Sequence, residues 1–340
     1  MSGYLEGIKV LPTGTKAISA ESWGRSAGAK TARIATQLPG CQERRYFLKC
    51  ATGEYAQTHM WGEHYSAGII ASHVPDFGPK PVGKGGYHDE MGNHTHFYMM
   101  EYHEMDHQSP PEPAELARAV AELHSKAVSP NGMFGFPFAN GRGTLDRSEH
   151  WEKSWAAQFT YLLQDLIELD NAVNEAWPEY DDACKQLIDH VIPRLLGVLQ
   201  SEGRSIEPVL CHGDLWEGNV ATDLETGKIV IFDPDRVRYL EMQLGNTFHY
   251  ASAYQRLIPP SEPTEEWDDR NRLYAIKCAI CDSAGHEGSK SRMIAFNDML
   301  YLCEKYTPLE SLEKYDPDKD ISVTGKREAY DVMAGARSSL

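Results

Sequence analysis

The chain has 340 residues, more than one compact core needs, and its 41% apolar, 10% aromatic and 24% charged side chains belong to a folded protein rather than a disordered one. With 33 basic and 50 acidic side chains the net charge is −17, which excludes general nucleic-acid binding and docking on anionic membranes. Seven cysteines, scattered and odd in number, outline no disulfide framework and place the chain in a reducing compartment, the cytoplasm.

Residues Met1 to Ala20 lack a basic stretch followed by an apolar core, so no signal peptide is expected. No run approaches the ~18 apolar residues of a membrane helix. Thr31 to Thr36 and Arg45 to Cys50 read as paired strands joined by a Pro-Gly turn. Gln57 to Ser72 reads as a helix. Val74 to Pro81 must be extended or turning, because each proline pushes its predecessor out of the helical region. His96 to Tyr102 is a further strand. After Pro110-Pro111 the character changes. Pro113 to Lys126 carries Leu116, Ala119, Val120 and Leu123 at helical spacing. Trp151 to Glu175 and Asp181 to Gln200 read as long helices. Val209 to Cys211 and Ile229 to Phe232 are short strands. Glu262 to Asp269 reads as an acidic solvated loop, Arg272 to Asp282 as a helix, and Glu310 to Leu340 as a polar, loosely ordered segment.

The pattern predicts an α+β, bilobal chain. A small β-rich lobe over residues 1–101 precedes a larger helical lobe over 102–340.

The chemistry concentrates in His212-Gly-Asp-Leu-Trp-Glu-Gly-Asn219, followed by Ile229-Val-Ile-Phe-Asp233. Phosphoryl transfer needs an oriented hydroxyl, a metal held against the phosphates and a clamped nucleotide. Asp214 is placed to receive the hydroxyl proton. Asn219 offers an amide oxygen to Mg²⁺, a hard cation that prefers oxygen ligands. Asp233, at the tip of an apolar strand, needs a cation to offset its burial, and Mg²⁺ on ATP supplies one. His94-x-His96, His103 and His124 have no third ligand at a clear spacing and read as structural residues.

The string HGDLWEGN, followed by IVIFDP, resembles the fructosamine-3-kinase (ketosamine-3-kinase) family, a branch of the aminoglycoside phosphotransferase-like, protein-kinase-like fold. Tyr46 to Glu54 is similar to the family's strand with its ATP-binding lysine, Met60 to Glu63 to its helix with a partner glutamate, and Tyr98 to Tyr102 to its hinge. The resemblance implies that Lys49 contacts the α- and β-phosphates and that Glu63 holds it by an ion pair. It also implies that the backbone around Glu101 and Tyr102 binds adenine and that Ser26 and Gly28 belong to the phosphate-covering loop. Trp216 would line the acceptor pocket. The implied activity is transfer of the γ-phosphoryl of ATP to a sugar hydroxyl of a ketosamine, a fructosamine or ribulosamine, free or protein-bound. Glu241 to Gly245, with Gln243, and Asp235 to Arg238 depart from the family pattern. Those departures keep open a kinase of the same fold acting on an aminoglycoside, amino alcohol or secondary metabolite. A lesser alternative is an ATP-binding pseudokinase. No nucleic-acid or membrane partner is implied, and the oligomeric state is not legible.

Overall fold

A computed structural model describes residues 9–24, 29–89, 91–106, 109, 111–137, 150–215, 217–234, 238–240 and 251–324. The chain divides into two compact units: Met1–Asn131 with Gly135–His150 and Pro208–Ile258, and Gly132–Phe134 with Trp151–Glu207 and Pro259–Leu340.

The first unit opens with a five-stranded antiparallel sheet ordered β1-β2-β3-β5-β4. Its strands are β1 (Lys16–Ser22), β2 (Lys30–Gln37), β3 (Glu43–Thr52), β4 (Pro81–His88) and β5 (His94–Glu101). Alternation in β2 sends Ala32 and Ile34 inward, where they meet Leu48, Phe97 and Met99 on one face of the sheet. The other face carries Ala51, Tyr98 and Met100 against Ala56 and Met60 of helix α1 (Ala56–His73). Met60, Glu63, Ala67 and Ile70 recur at helical spacing on the buried side of α1. Strand β4 was not foreseen. Its Pro-Val-Gly-Lys-Gly-Gly run shows no alternation, and pairing with β5 makes it a strand. A side chain at Gly85 would place its Cβ 2.9 Å from the Phe97 ring, so glycine is what lets the two strands close.

Helix α2 (Pro113–Lys126) begins with proline, whose missing N–H costs nothing in the first turn. Leu116, Val120, Leu123 and His124 form its buried face. Its end is tied to β9 (Val209–Cys211) by the Leu210 N–H donating to Ala127 O at 2.8 Å. Strands β10 (Val220–Asp223) and β11 (Ile229–Ile231) form a hairpin in which Val220 faces Ile231. On its other side β10 pairs with β6 (Met105–Asp106), just beyond the expected hinge. Strand β12 (Arg238–Leu240) pairs with β9 and with Gly135 of β7 (Phe134–Gly135). The short helix α6 (Ala251–Gln255) also belongs to this unit.

Among its described residues the second unit is mostly helical and opens its main segment with β8 (Trp151–Glu152). Helix α3 (Trp155–Val173) starts at Ser154, whose hydroxyl accepts the Ala157 N–H. The predicted helix over 181–200 is one helical path of several pitches: α4 (Pro178–Gln186), a π turn (Leu187–Val191), α5 (Ile192–Leu196) and a 3₁₀ turn (Gly197–Gln200). The π turn falls just before Pro193, which has no N–H to continue an α-helical ladder. Helices α7 (Trp267–Gly285) and α8 (Ser291–Tyr306) complete the packing, with Trp155, Phe159 and Tyr274 at its centre. The predicted acidic loop over 262–269 is solvated only in part: Glu262, Glu265 and Asp268 are exposed, whereas Glu266 and Asp269 are buried. Arg194 bonds both oxygens of Glu266, and Lys305 and Tyr306 hold Asp269, so these two charges are met by distant partners. A 3₁₀ turn (Pro317–Lys319) and helix α9 (Ile321–Thr324) order the start of the polar tail. No helix among the described residues is long and apolar enough to cross a membrane.

Candidate active site

The site is built within the first unit. Lys49 sits in the middle of β3 and is 3% exposed, while Glu63 on α1 is 1% exposed. Lys49 Nζ lies 2.7 Å from Glu63 Oε1 and 2.6 Å from Asp233 Oδ1. Burial alone would push the lysine toward its neutral form. The Glu63 and Asp233 carboxylates outweigh it and hold the ammonium above its ordinary value. The cation is therefore permanent at physiological pH, and it sits where three segments far apart in sequence meet.

Asp233 follows β11 with a left-handed φ of +58°, and its side chain is 38% exposed. Aspartate tolerates that backbone better than most residues. The turn swings the carboxylate out of the apolar strand toward Lys49. Across the same open end of the hairpin stands Asn219, which extends the pairing by accepting the Phe232 N–H at 3.1 Å through its backbone carbonyl. Its amide nitrogen donates to Asp214 O at 2.9 Å and approaches Asp214 Oδ2 at 3.4 Å, so the amide oxygen faces the opposite way. His212 Nε2 bonds the Phe232 carbonyl at 3.0 Å and ties the start of the loop to the segment that carries Asp233. Gly213 has φ +80°, a conformation glycine adopts freely, and it turns the chain between His212 and Asp214. One hairpin and one tight loop thus gather Asp214, Asn219 and Asp233. The Asp233 carboxylate and the Asn219 amide oxygen are oxygen donors of the kind a hard divalent cation prefers.

The expected hinge is firmly held. The Glu101 N–H donates to Lys80 O at 2.9 Å and the Tyr102 N–H to Arg45 O at 3.4 Å, so both backbone N–H groups are already engaged. Two residues that sequence reasoning passed over pack there. Arg33 lies 4.0 Å over the Trp23 ring and reaches the Tyr102 hydroxyl at 3.4 Å, joining the hinge to the strand pair β1–β2. Their only signal in sequence was an aromatic and a cation near glycine. His103 bonds Asp223 at 2.5 Å. Burial would raise the Asp223 carboxyl, but that bond and those from Thr226 and Glu225 hold it below the usual carboxylate range. His94 packs between His88 and His96, ring against ring. His124 is buried against the Tyr254 hydroxyl at 2.6 Å. Burial pushes the Cys50 thiol up to about 11, so it is a poor redox centre, while Cys41 is exposed. Ser26, Gly28, Trp216 and Gln243 lie outside the described residues.

The same fold occurs in solved structures. One, from Haemophilus somnus 129PT and provisionally named a fructosamine-3-kinase, is 15% identical with a TM-score of 0.63 over 88% of this chain and 99% of that one. Another, a thermostable mutant of aminoglycoside phosphotransferase APH(4)-Ia, is 14% identical with a TM-score of 0.57 over 90% and 99%. The fold class is thus α+β and protein-kinase-like. Residues 19–284 match the fructosamine kinase family, and the chain belongs to it. Over 173 residues it is 32% identical to the chloroplastic protein-ribulosamine 3-kinase of Oryza sativa subsp. indica, covering 47% of this chain and 46% of that protein. The matches to such relatives span about half of their length.

Proposed function

We propose that this protein is an ATP-dependent kinase that transfers the γ-phosphoryl group to a sugar hydroxyl of a ketosamine, a fructosamine or ribulosamine, free or protein-bound. The observation that carries the reading is Lys49 Nζ held at 2.7 Å from Glu63 and 2.6 Å from Asp233, beside the loop of Asp214 and Asn219. Residues 1–101 act as the nucleotide-clamping lobe, and 102–340 carry the catalytic loop and acceptor site.

Lys49 binds the α- and β-phosphates, and Glu63 keeps it in place. Asp214 orients the acceptor hydroxyl and takes its proton as the oxygen bonds to the γ-phosphorus and the bond to ADP breaks. The Asn219 amide, bonded to Asp214, fixes the carboxylate for that task. Asn219 and Asp233 would hold Mg²⁺, which neutralises charge on the phosphates. Carbonyls of Glu101 and Tyr102 face adenine, Ser26 and Gly28 cover the phosphates, and Trp216 packs on the acceptor sugar. Alignment and electrostatic clamping provide the rate. The protein acts in the cytoplasm, without nucleic-acid or membrane partners.

The test is a phosphorylation panel with Mg·ATP in which fructosamines and ribulosamines compete with aminoglycosides and choline. Phosphate transfer to a ketosamine is expected, and Asp214→Ala abolishes it while ATP binding persists. Transfer only to an aminoglycoside or amino alcohol moves the protein to the alternative acceptor class. ATP binding without any transfer makes it a pseudokinase.

A further inference from the structure

The polar node around Lys49 contains Tyr98, which the family resemblance reads only as part of the hinge. Both oxygens of the buried Glu63 carboxylate are occupied. Oε1 takes Lys49 Nζ at 2.7 Å and faces His59 Nε2, one turn earlier on α1, at 3.0 Å. Oε2 accepts the Tyr98 hydroxyl at 2.5 Å. Tyr98 is 1% exposed and is the cross-strand partner of Lys49 in the β3–β5 pairing. Partners across a ladder project from the same face of a sheet. The lysine and the tyrosine therefore reach the helix side by side and take one carboxylate oxygen each.

The consequence for the site follows from how a carboxylate moves. Held by one oxygen, it can pivot about its terminal bond, a broad torsion with little intrinsic preference. Held by both, it cannot. Lys49 has two anchors here, Glu63 and the partly exposed Asp233. A nucleotide bound through Lys49, with a cation on Asp233, draws both of those groups toward the phosphates. Glu63 is then the anchor that must stay fixed, and its orientation depends on Oε2. Groups that orient a primary contact are worth about 10- to 100-fold where they have been measured around metal ligands.

We propose that Tyr98 is a positioning residue for phosphoryl transfer: its hydroxyl locks Glu63, and through Glu63 it locks Lys49 against the phosphates. This inference rests on the kinase reading above and adds to it a residue that touches neither substrate nor metal. Helix α1 is on this account pinned to the sheet in the assembled state, with its glutamate already engaged before nucleotide binds.

The experiment is a double-mutant cycle on steady-state ATP kinetics in the full-length protein. Tyr98→Phe removes one oxygen and keeps the ring, and Glu63→Gln keeps the shape of the carboxylate. Melting curves check that each variant is folded before rates are compared. Tyr98→Phe is expected to lower kcat/KM for ATP about 10-fold with the acceptor KM unchanged. In the Glu63→Gln background the same change should cost less than about twofold, because its route to Lys49 is already broken. A Tyr98→Phe enzyme with wild-type kinetics overturns the proposal. So does an equal loss in both backgrounds, which marks Tyr98 as general packing. A wild-type protein that binds no Mg·ATP overturns the kinase reading and this inference together. An active wild type with an unaffected Tyr98→Phe overturns this inference alone.

Discussion

Lys49 in the first unit and Arg272 in the second are each wedged between two carboxylates, with a tyrosine hydroxyl on one of them. Lys49 meets Glu63 and Asp233, and Tyr98 bonds Glu63. Arg272 meets Asp298 and Asp320, and Tyr315 bonds Asp320. The inventories match, but the surroundings do not. Asp320 is sealed, with its side chain 3% exposed, and also accepts the Ser322 N–H and hydroxyl. Burial would raise its carboxyl, yet Ser322, Tyr315 and Arg272 together hold it down to about 2. Asp298 lacks those extra donors, and burial pushes it up to about 6 against the pull of Arg272. In the Lys49 node Asp233 is partly open and sits on a left-handed residue at the end of a strand. The cations differ to match. A guanidinium fork suits fixed carboxylates, whereas an ammonium is a compact charge with rotatable donors that can exchange partners. The Arg272 node is closed and holds the fold together. The Lys49 node is closed on the Glu63 side and open on the Asp233 side, as the proposed phosphate site would require.

The largest effect that can break this comparison is on turnover. Asp233→Asn keeps a residue that tolerates a positive φ and removes only the charge. Turnover is expected to fall roughly 10³-fold while the melting temperature stays close to wild type. Steady-state kinetics beside a melting curve check this, and a variant that loses stability but keeps turnover would make the two nodes alike. The next effect tests the other node. Arg272→Met leaves Asp298 and Asp320 buried without their cation and is expected to cost about 3 kcal/mol of stability. Denaturant titration measures that loss, and kcat/KM per folded molecule should be unchanged.

These contrasts were unevenly legible in the sequence. The loop His212 to Asn219 and the strand before Asp233 were readable because their information is local: fixed spacing, a glycine turn and an apolar run. Strands β2 and β3 and helices α1 and α2 were readable from periodicity for the same reason. Tyr98 was read only as hinge, because its partnership with Lys49 depends on the register between β3 and β5. Strand β4 was hidden because its glycines answer to residues elsewhere in the chain: Gly83 to Val10, Gly85 to Phe97 and Gly86 to His94. Glu266 and Asp269 were read as solvated because acidic residues near a proline usually are, and Arg194 and Lys305, which neutralise them, lie 72 and 36 residues away. The Arg272 node left no signature for a similar reason, since its members come from two helices and the tail.

The smallest predicted effect asks whether the two units also differ in their response to acid. His124 in the first unit is pushed down to about 4 by burial, from an ordinary value near 6.5. Below about pH 6.5 the unfolded chain takes up a proton that the folded chain refuses, so stability falls as the pH drops toward 4. Asp298 in the second unit has the opposite sign. Its raised value of about 6 means that the folded chain binds the proton more readily, which adds stability as the pH falls through 6 toward the ordinary aspartate value. Asp320, held near 2, keeps its contribution until lower pH and loses it between about 4 and 2. Whole-protein curves therefore mix terms of both signs, and a substitution is needed to separate them. His124→Asn retains a group that can bond the Tyr254 hydroxyl and removes the titration. Relative to that variant, the wild type is expected to lose about 2 kcal/mol between pH 7 and pH 5. Denaturant titrations at several pH values measure the difference, and parallel curves for the two proteins would show that His124 does not contribute to the acid sensitivity of the first unit.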